Sequence, residues 1–297
     1  MSETKIVTRR DFMREAAAGT AAMSLGLPAA RALARQDPRH VRVVLVRDEN
    51  VLDDEGEVRA PVIARMLDDA VLTLFENDDA AAVWRRLLDP ADTLGIKTNV
   101  YRPLRTPPAL EEAIRERALA VGISADRISI RDRGLRSDPI FRQATALINA
   151  RPLRAHDWSG IGGCLKNYIT FDNPPDWHAD VCADLGGLWK LPICAGKTRL
   201  NILVVLTPFF HSIGPHRYDT DAVWQYKGML VSTDPVAVDA LGVKLLEEMR
   251  IRFYERPPRG VVSSKHVGYA DTRHGVGIAN LDEIELVRIG WTEDALI

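Results

Sequence analysis

The sequence of 297 residues has few cysteines, no long apolar run and almost no excess of charge. Its three cysteines form no Cys-x-x-Cys pair, so neither a ferredoxin-type iron-sulfur motif nor a zinc knuckle is present. The net charge of −2 argues against a basic surface that binds nucleic acid. No run approaches the roughly 20 apolar residues that span a bilayer. We therefore expect no nucleic-acid partner, no iron-sulfur cluster and no transmembrane anchor.

The scarce cysteines leave two alternatives open. Cys164, Cys182 and Cys194 are the only ones. In an oxidising compartment two of them could form a disulfide and leave one thiol over. Alternatively, all three are buried free thiols, which behave as small apolar side chains.

The N-terminus has the pattern of an export signal. Residues 8–13, TRRDFM, are typical of a twin-arginine signal, and a weakly apolar run follows at residues 16–28. Ala32 and Ala34 then offer small residues for a signal peptidase. We expect residues 1–34 to be a cleaved signal peptide, the twin-arginine machinery to be a partner, and the product to be periplasmic or extracellular. An amphipathic N-terminal helix is the alternative.

The rest of the chain, residues 35–297, alternates predicted strands with predicted helices. Strand patterns lie at residues 40–47, 93–98, 127–131, 146–150, 200–206, 229–232 and 284–288. Helix patterns lie at residues 60–75, 80–88, 108–121, 180–188, 235–250 and 264–273, and another helix begins at Asp138-Pro139. This alternation predicts a single α/β domain with a mostly parallel sheet and helices on both faces. A Pro-rich loop suggests a lid or insertion near residues 170–198.

A glycine-rich stretch, HDWSGIGGCLKNYITF, covers residues 156–171. Gly162 and Gly163 permit a backbone on which several N–H groups converge, and such a nest binds anions. Lys166 would add a charge, and Asn167 would add donors and an acceptor. The phosphate-loop pattern is not met. The alternative is a glycine turn with a solvated lysine and a β-prone run after it.

A second Lys-Asn combination follows a short apolar strand. In the stretch LGIKTN, Lys97 and Asn99 stand where the strand ends. In α/β sheets ligands collect beyond the carboxyl ends of strands. A lysine there is also the ordinary way for a buried strand to reach water.

Asp239 lies within the helical pattern STDPVAVDALG, where its neighbours on the same helix face are apolar. A carboxylate on such a face needs a charge, a metal or strong hydrogen bonds. We expect Lys97 or Lys166 to be its partner, and a purely structural ion pair is the alternative. Thr233 or Asp234 would cap the helix.

Histidines suggest a metal site as a further alternative. His211 and His216 follow the most apolar strand of the chain, and His156 or His178 could add a third ligand. No known zinc spacing is matched, and a surface histidine is the plainer reading. The cofactor therefore stays open, with a metal ion as one candidate.

Four of these stretches, taken in order, resemble the domain of unknown function 362 family. They are LGIKTN, LINARPLRAHDWSGIGGCLKNYI, GMLVSTDPVAVDALG and KHVGYADTRHGVGIANLDEIELVRIG, which together run from about residue 41 to 291. The resemblance implies an α/β domain whose biochemical role is largely unassigned, and relatives that are often linked to iron-sulfur or oxidoreductase chemistry. This chain lacks the ferredoxin cysteines. It also has Thr98 where the family tends to have proline, and Arg154 where lysine is usual.

Residues and resemblance together predict one pocket at an end of the sheet that binds or transforms a small anionic metabolite by acid–base or redox chemistry. We expect His156, Lys166 and Asp239 to form its catalytic group, with His156 moving a proton. The remaining expected ligand-binding residues are Lys97, Asn99, Gly162, Gly163, Asn167 and Asp234. A non-catalytic exported binding protein and a histidine metalloprotein are the competing interpretations.

Overall fold

A computed structural model describes residues 40–214, 217–218, 221–254 and 261–297. The predicted signal peptide and His216 lie outside the described residues, so those predictions stay predictions. In the described part of the chain, no helix is both long and apolar enough to span a membrane.

The described strands form one eight-stranded sheet and a small separate hairpin. In chain order they are β1 (Val41–Arg47), β2 (Leu94–Lys97), β3 (Ile128–Arg131), β4 (Ala146–His156), β5 (Gly160–Gly162), β6 (Thr198–Phe209), β7 (Ser212–Gly214), β8 (Arg217–Tyr218), β9 (Gly228–Ser232) and β10 (Ile284–Gly290). The sheet order is β10-β1-β9-β6-β4-β2-β3, with β5 paired to β4, while β7 and β8 form the hairpin.

Most neighbours in the sheet are parallel, as predicted. Strand β9 is the exception, because it runs antiparallel to both β1 and β6, and the short β5 is antiparallel to β4. The carboxyl ends of β2, β3, β4 and β6 therefore share one edge of the sheet. The segment that follows β9 starts at the opposite edge.

Helices cover both faces of the sheet, which confirms the predicted layering. They are α1 (Ala60–Phe75), α2 (Ala80–Leu87), α3 (Pro108–Val121), α4 (Pro139–Gln143), α5 (Cys164–Asn167), α6 (Pro235–Tyr254) and α7 (Lys265–Thr272). Helices α1 to α3 pack on one face around residues such as Ile96 and Ile148. Helices α4 to α7 pack on the other face around residues such as Leu203 and Leu230. Apolar side chains form most of the core on both faces, as expected when a sheet is covered on both sides.

Local signals placed several helix ends correctly. The predicted limits of α1 and α3 are confirmed, and each helix has proline in its first turn. Gly122 ends α3 at φ 107°, and its N–H donates to the carbonyls of Ala118 and Leu119. The carboxylate of Asp234 accepts hydrogen bonds from the N–H groups of Val236 and Ala237, so Asp234 is the cap of α6.

Other predictions were wrong in detail. Strand β4 extends to His156 rather than ending at Ala150. The prediction stopped too early because arginines inside the strand interrupt its apolar pattern. The β-prone run after Asn167 forms a 3₁₀ turn at Tyr168–Phe171, where the Tyr168 ring stacks 4.2 Å from Trp189. Residues 180–188 form no single helix, since Ala179–Cys182 contains left-handed residues and a 3₁₀ helix follows at Leu185–Lys190.

Candidate functional site

A cleft of about 500 Å³ opens at the carboxyl ends of β2, β3 and β4. This edge is where α/β sheets usually bind ligands. Its polar lining comprises four cationic side chains, two carboxylates, two amides and a histidine: Arg133, Arg151, Arg154, Lys166, Asp132, Asp172, Asn99, Asn167 and His178. The predicted residues Asn99, Lys166 and Asn167 thus meet in one cleft.

Lys97 lies behind the cleft and is fully buried at the end of β2. Its Nζ donates to the Thr98 carbonyl and to Asp132 Oδ1, both at 2.7 Å, and to Asn167 Oδ1 at 3.2 Å. Burial lowers the pKa of Lys97 to about 8, and the adjacent Asp132 opposes that shift. For Asp132, burial raises the pKa, but Lys97 and the Val100 N–H outweigh it and hold the carboxyl below its usual range. The pair is a charged support beneath the cleft.

A chain of buried amides extends from Lys97 across the sheet. Asn167 Nδ2 donates to Asn149 Oδ1 at 2.7 Å, and Asn149 Nδ2 donates to Asn201 Oδ1 at 3.0 Å. Asn201 Nδ2 then donates to the Thr233 carbonyl at 3.1 Å. Every bond has the same donor-to-acceptor direction, so the network fixes the orientation of Asn167 at the cleft.

Lys166 sits at the other side of the cleft on α5 and is only 3% exposed. Its Nζ donates to Cys182 Sγ at 3.4 Å. Burial lowers the pKa of Lys166 to about 8, Cys182 opposes the shift, and Arg151 and Arg154 add to it. An amine with a pKa lowered in this way can both lose and gain a proton near neutral pH.

Arg151 and Arg154 were not among the residues predicted for the site, and Arg154 stood out only as a departure from the family pattern. Both are buried on β4, and the Arg154 guanidinium lies 4.5 Å from the centroid of the Tyr101 ring. A Cβ on Gly162 would stand 2.8 Å from Arg151 Nη2, so the missing side chain of Gly162 makes room for this guanidinium. The available signal was RPLR, in which two arginines interrupt an apolar strand.

A carboxyl group of the protein itself occupies the glycine nest. Asp239 is fully buried, and its Oδ1 and Oδ2 accept hydrogen bonds from the N–H groups of Cys164 at 2.6 Å and Leu165 at 2.9 Å. A Cβ on Gly163 would stand 2.3 Å from Asp239 Oδ1, so only glycine permits this approach. The glycines therefore position an internal carboxylate, and the amides after them are already occupied.

The expected pairing of Asp239 with a lysine is wrong. Among the described residues, the hydrogen-bond partners of Asp239 are backbone amides, and the carboxylate beside Lys97 is that of Asp132. Burial raises the pKa of Asp239 to about 7, and the hydrogen bonds from Leu165 and Cys164 oppose the shift. The carboxylate joins α6 to α5 and so fixes the helix that carries Lys166.

His156 stands at the end of β4, and its Nδ1 accepts a hydrogen bond from the Trp158 N–H at 3.1 Å. Burial and the positive charges of Lys166, Arg154 and Arg151 hold the pKa of His156 far below its usual range. The ring is therefore neutral, and with Nδ1 accepting, Nε2 carries the proton. This geometry favours His156 as a hydrogen-bond donor, and its predicted role in proton transfer stays a prediction.

Two groups of predicted residues lie elsewhere. Asp234 follows β9 at the edge opposite the cleft, where its second oxygen accepts from the Ile278 N–H at 2.9 Å. His211 follows β6, with its ring 5.5 Å from the Tyr254 ring. No group of three or more His, Cys, Asp or Glu side chains suited to a metal occurs among the residues described. The metal site with His216 thus stays a prediction.

The three cysteines are buried free thiols. Burial raises the pKa of the Cys164 thiol well above its usual range, and Asp239 adds to the shift. At neutral pH this thiol is therefore protonated and a poor nucleophile.

His266 on α7 is a further buried polar residue that the sequence analysis missed. It is fully buried, and neither ring nitrogen has a hydrogen-bond partner among the described residues. Burial lowers its pKa to about 3, and Lys166 and Arg151 contribute to the shift. Only its position inside the stretch KHVGYAD could have drawn attention to it.

Comparison with known proteins gives a family for the segment that carries most of these residues. The searches of curated proteins and of solved structures gave no match. The resemblance noted in the sequence is confirmed for the second and third motifs, while LGIKTN and the C-terminal motif lie outside the matched range. Residues 137–244 match the model of the family described as Domain of unknown function (DUF362).

Proposed function

We propose that the cleft binds a small anionic metabolite and that Lys166 exchanges a proton with it. The observation that supports this most is the excess of positive charge, since four cationic side chains line the cleft against two carboxylates. Lys97 already offsets Asp132 at 2.7 Å. A negatively charged group is the natural complement of such a surface.

Arg151 and Arg154 are suited to hold a carboxylate or a phosphate. A guanidinium presents paired N–H donors that match the geometry of both groups. The two arginines are only 3% and 6% exposed, so water and salt screen their attraction for an anion weakly. The stacking of Arg154 on Tyr101 further restricts its orientation.

Lys166 is the group best placed for proton transfer. Its pKa, lowered to about 8 by burial, lies close to the pH at which most enzymes work. His156 is less suitable as a base, since its strongly lowered pKa makes the ring a weak proton acceptor and Nδ1 already accepts from the Trp158 N–H.

The experiment is urea unfolding of the protein with rising concentrations of phosphate, citrate and simple carboxylates. A ligand that binds the cleft should raise the free energy of unfolding by about 2.7 kcal/mol when present at about 100 times its Kd. Arg154→Gln should weaken this binding at least about tenfold, because a charge-assisted hydrogen bond is lost.

Arg115→Gln is the matched control, because Arg115 pairs with Glu112 on the exposed surface of α3. It should leave binding unchanged. The proposal is wrong if no anion stabilises the protein, or if stabilisation is equal in the Arg154 and Arg115 variants.

A further inference from the structure

The two buried lysines near the cleft differ in their partners. Three oxygen acceptors surround Nζ of Lys97, including the carboxylate of Asp132. Among the described residues, the hydrogen-bond partner of Lys166 Nζ is the thiol of Cys182. A thiol is a weak acceptor, so the amine of Lys166 loses little when it is freed, whereas Lys97 would lose its ion pair with Asp132.

Lys166 also has the surroundings of a nucleophilic amine. It is 3% exposed but lines the cleft, so a bound molecule reaches it while bulk water largely does not. Arg151 and Arg154 are near enough to lower its pKa. Desolvation and a neighbouring cation are the two conditions that produce a reactive lysine amine in proteins.

We infer that the metabolite is a 2-oxo acid, whose carboxylate binds Arg151 and Arg154 while its keto carbon forms an imine with Nζ of Lys166. The inference rests on the anion binding proposed above and specifies its substrate. Arg151, Arg154 and Lys166 line the same cleft of about 500 Å³, so a small molecule held there by its carboxylate presents its neighbouring carbon to the amine. A carbonyl adjacent to a carboxylate meets that condition.

The step balances without an oxidant or a reductant. The lone pair of the neutral amine forms a C–N bond, and the carbonyl π pair moves to oxygen, which takes up a proton. The resulting carbinolamine loses that oxygen with two protons as one water and leaves a C=N bond. The product is an electron-poor carbon next to a carboxylate, from which loss of CO₂ or of an adjacent proton becomes easier.

The test is trapping with sodium borohydride in the presence of pyruvate, 2-oxoglutarate or phenylpyruvate, followed by mass spectrometry of the intact chain and its peptides. A trapped imine adds the mass of one oxo acid, minus one water, plus two hydrogens. We expect at least one of these acids to label Lys166 stoichiometrically. Acetone, which has the carbonyl but no carboxylate, should leave the chain unlabelled.

Lys166→Arg should abolish the label, whereas Lys244→Arg on the exposed side of α6 should retain it. Peptide mapping of the unaltered chain gives the same answer if the Lys166 variant fails to fold. Labelling spread over surface lysines, or no label with any of the three acids, would overturn the imine.

Lactate separates the two proposals, because it carries the carboxylate but cannot form an imine. If lactate and the oxo acids stabilise the protein equally without any trapped product, anion binding stands and the imine is wrong. If none of them stabilises or labels the protein, both proposals fail.

Discussion

Lys97 and Asp132 form an ion pair that is almost completely buried. Lys97 is fully buried, Asp132 is 6% exposed, and their closest atoms are 2.7 Å apart. Taking charges out of water is costly, and the pair tolerates it because each charge also has neutral hydrogen-bond partners. Without Lys97, the buried Asp132 would keep only the exposed Arg133, 3.8 Å away, as an ion-pair partner among the described residues.

Lys97→Met should therefore lower the free energy of unfolding by about 3 to 5 kcal/mol. Urea denaturation monitored by circular dichroism measures the change. Arg115→Ala, which breaks the exposed pair with Glu112 at 3.0 Å, should cost less than about 1 kcal/mol. Equal losses in the two variants would show that burial of the pair does not matter.

The site residues that could be predicted from the sequence are those that stand beside a recognisable local pattern. Lys97 ends an apolar strand, and Lys166 and Asn167 follow glycines, so a sequence reader notices them. Asp132 follows the predicted strand at residues 127–131, but no local pattern pairs it with Lys97, and no pattern marks His266. Strand β3 brings Asp132 to the cleft, and α7 brings His266 near enough for Lys166 to affect its pKa. Their roles depend on contacts between residues far apart in the chain, which local patterns do not encode.

Helix α6 approaches the sheet closely at Gly242. A Cβ there would stand 2.7 Å from Leu203 Cδ2 and 3.3 Å from Leu153 Cδ1. Gly268, in helix α7, has nothing within 4 Å of the same position. Both glycines therefore lie in helices, but only Gly242 is packed closely against neighbouring side chains.

Gly242→Ala and Gly268→Ala should change stability in opposite directions. Overpacking at Gly242 should cost about 1 to 3 kcal/mol, and the helix preference of alanine offsets about 1 kcal/mol of it, so we expect a net loss of up to about 2 kcal/mol. Gly268→Ala should gain about 0.5 to 1 kcal/mol, because only the helix preference acts there. Thermal unfolding of both variants decides the matter, and a gain at Gly242 would mean that α6 shifts without penalty.

Element limits were more predictable than strand directions. The helical spacing of residues 60–75 and 108–121 gave the limits of α1 and α3, because proline marks the start of both and Gly122 marks the end of α3. The five-residue β9 carries no information about its direction, yet its reversal sends Asp234 to the far edge of the sheet. We expected Asp234 at the site because nothing in the sequence indicates that reversal.

The whole molecule contains buried groups whose pH effects oppose one another. The pKa of Asp239, raised to about 7 by burial, means that the fold holds a proton the unfolded chain releases. This effect removes stability as pH rises from about 4 to 7. The pKa of His266, lowered to about 3 by burial, acts in the other direction. Its contribution is complete above about pH 6.5 and is lost as pH falls toward 3.

His266→Phe should make the molecule less sensitive to acid. The unfolded chain of the variant no longer gains a proton at this position, so up to about 4 kcal/mol of stability loss between pH 6.5 and 3.5 should disappear. Urea unfolding across that range gives the slope of the free energy of unfolding against pH. A change in packing shifts this free energy equally at every pH and leaves the slope unaltered. His40→Gln, at an exposed position, should keep the slope of the unaltered chain. An unchanged slope in His266→Phe would show that folding does not lower the pKa of His266.

The amide chain from Lys97 to the Thr233 carbonyl has a consequence for redesign. Each asparagine donates to the next acceptor in one sense, so inverting one side chain would place two donors or two oxygens face to face. Its members come from β4, β6 and α5 and cannot be exchanged one at a time. An engineer who wishes to graft the cleft onto another α/β scaffold must transplant the network as a single polar unit, together with the strand order that aligns it.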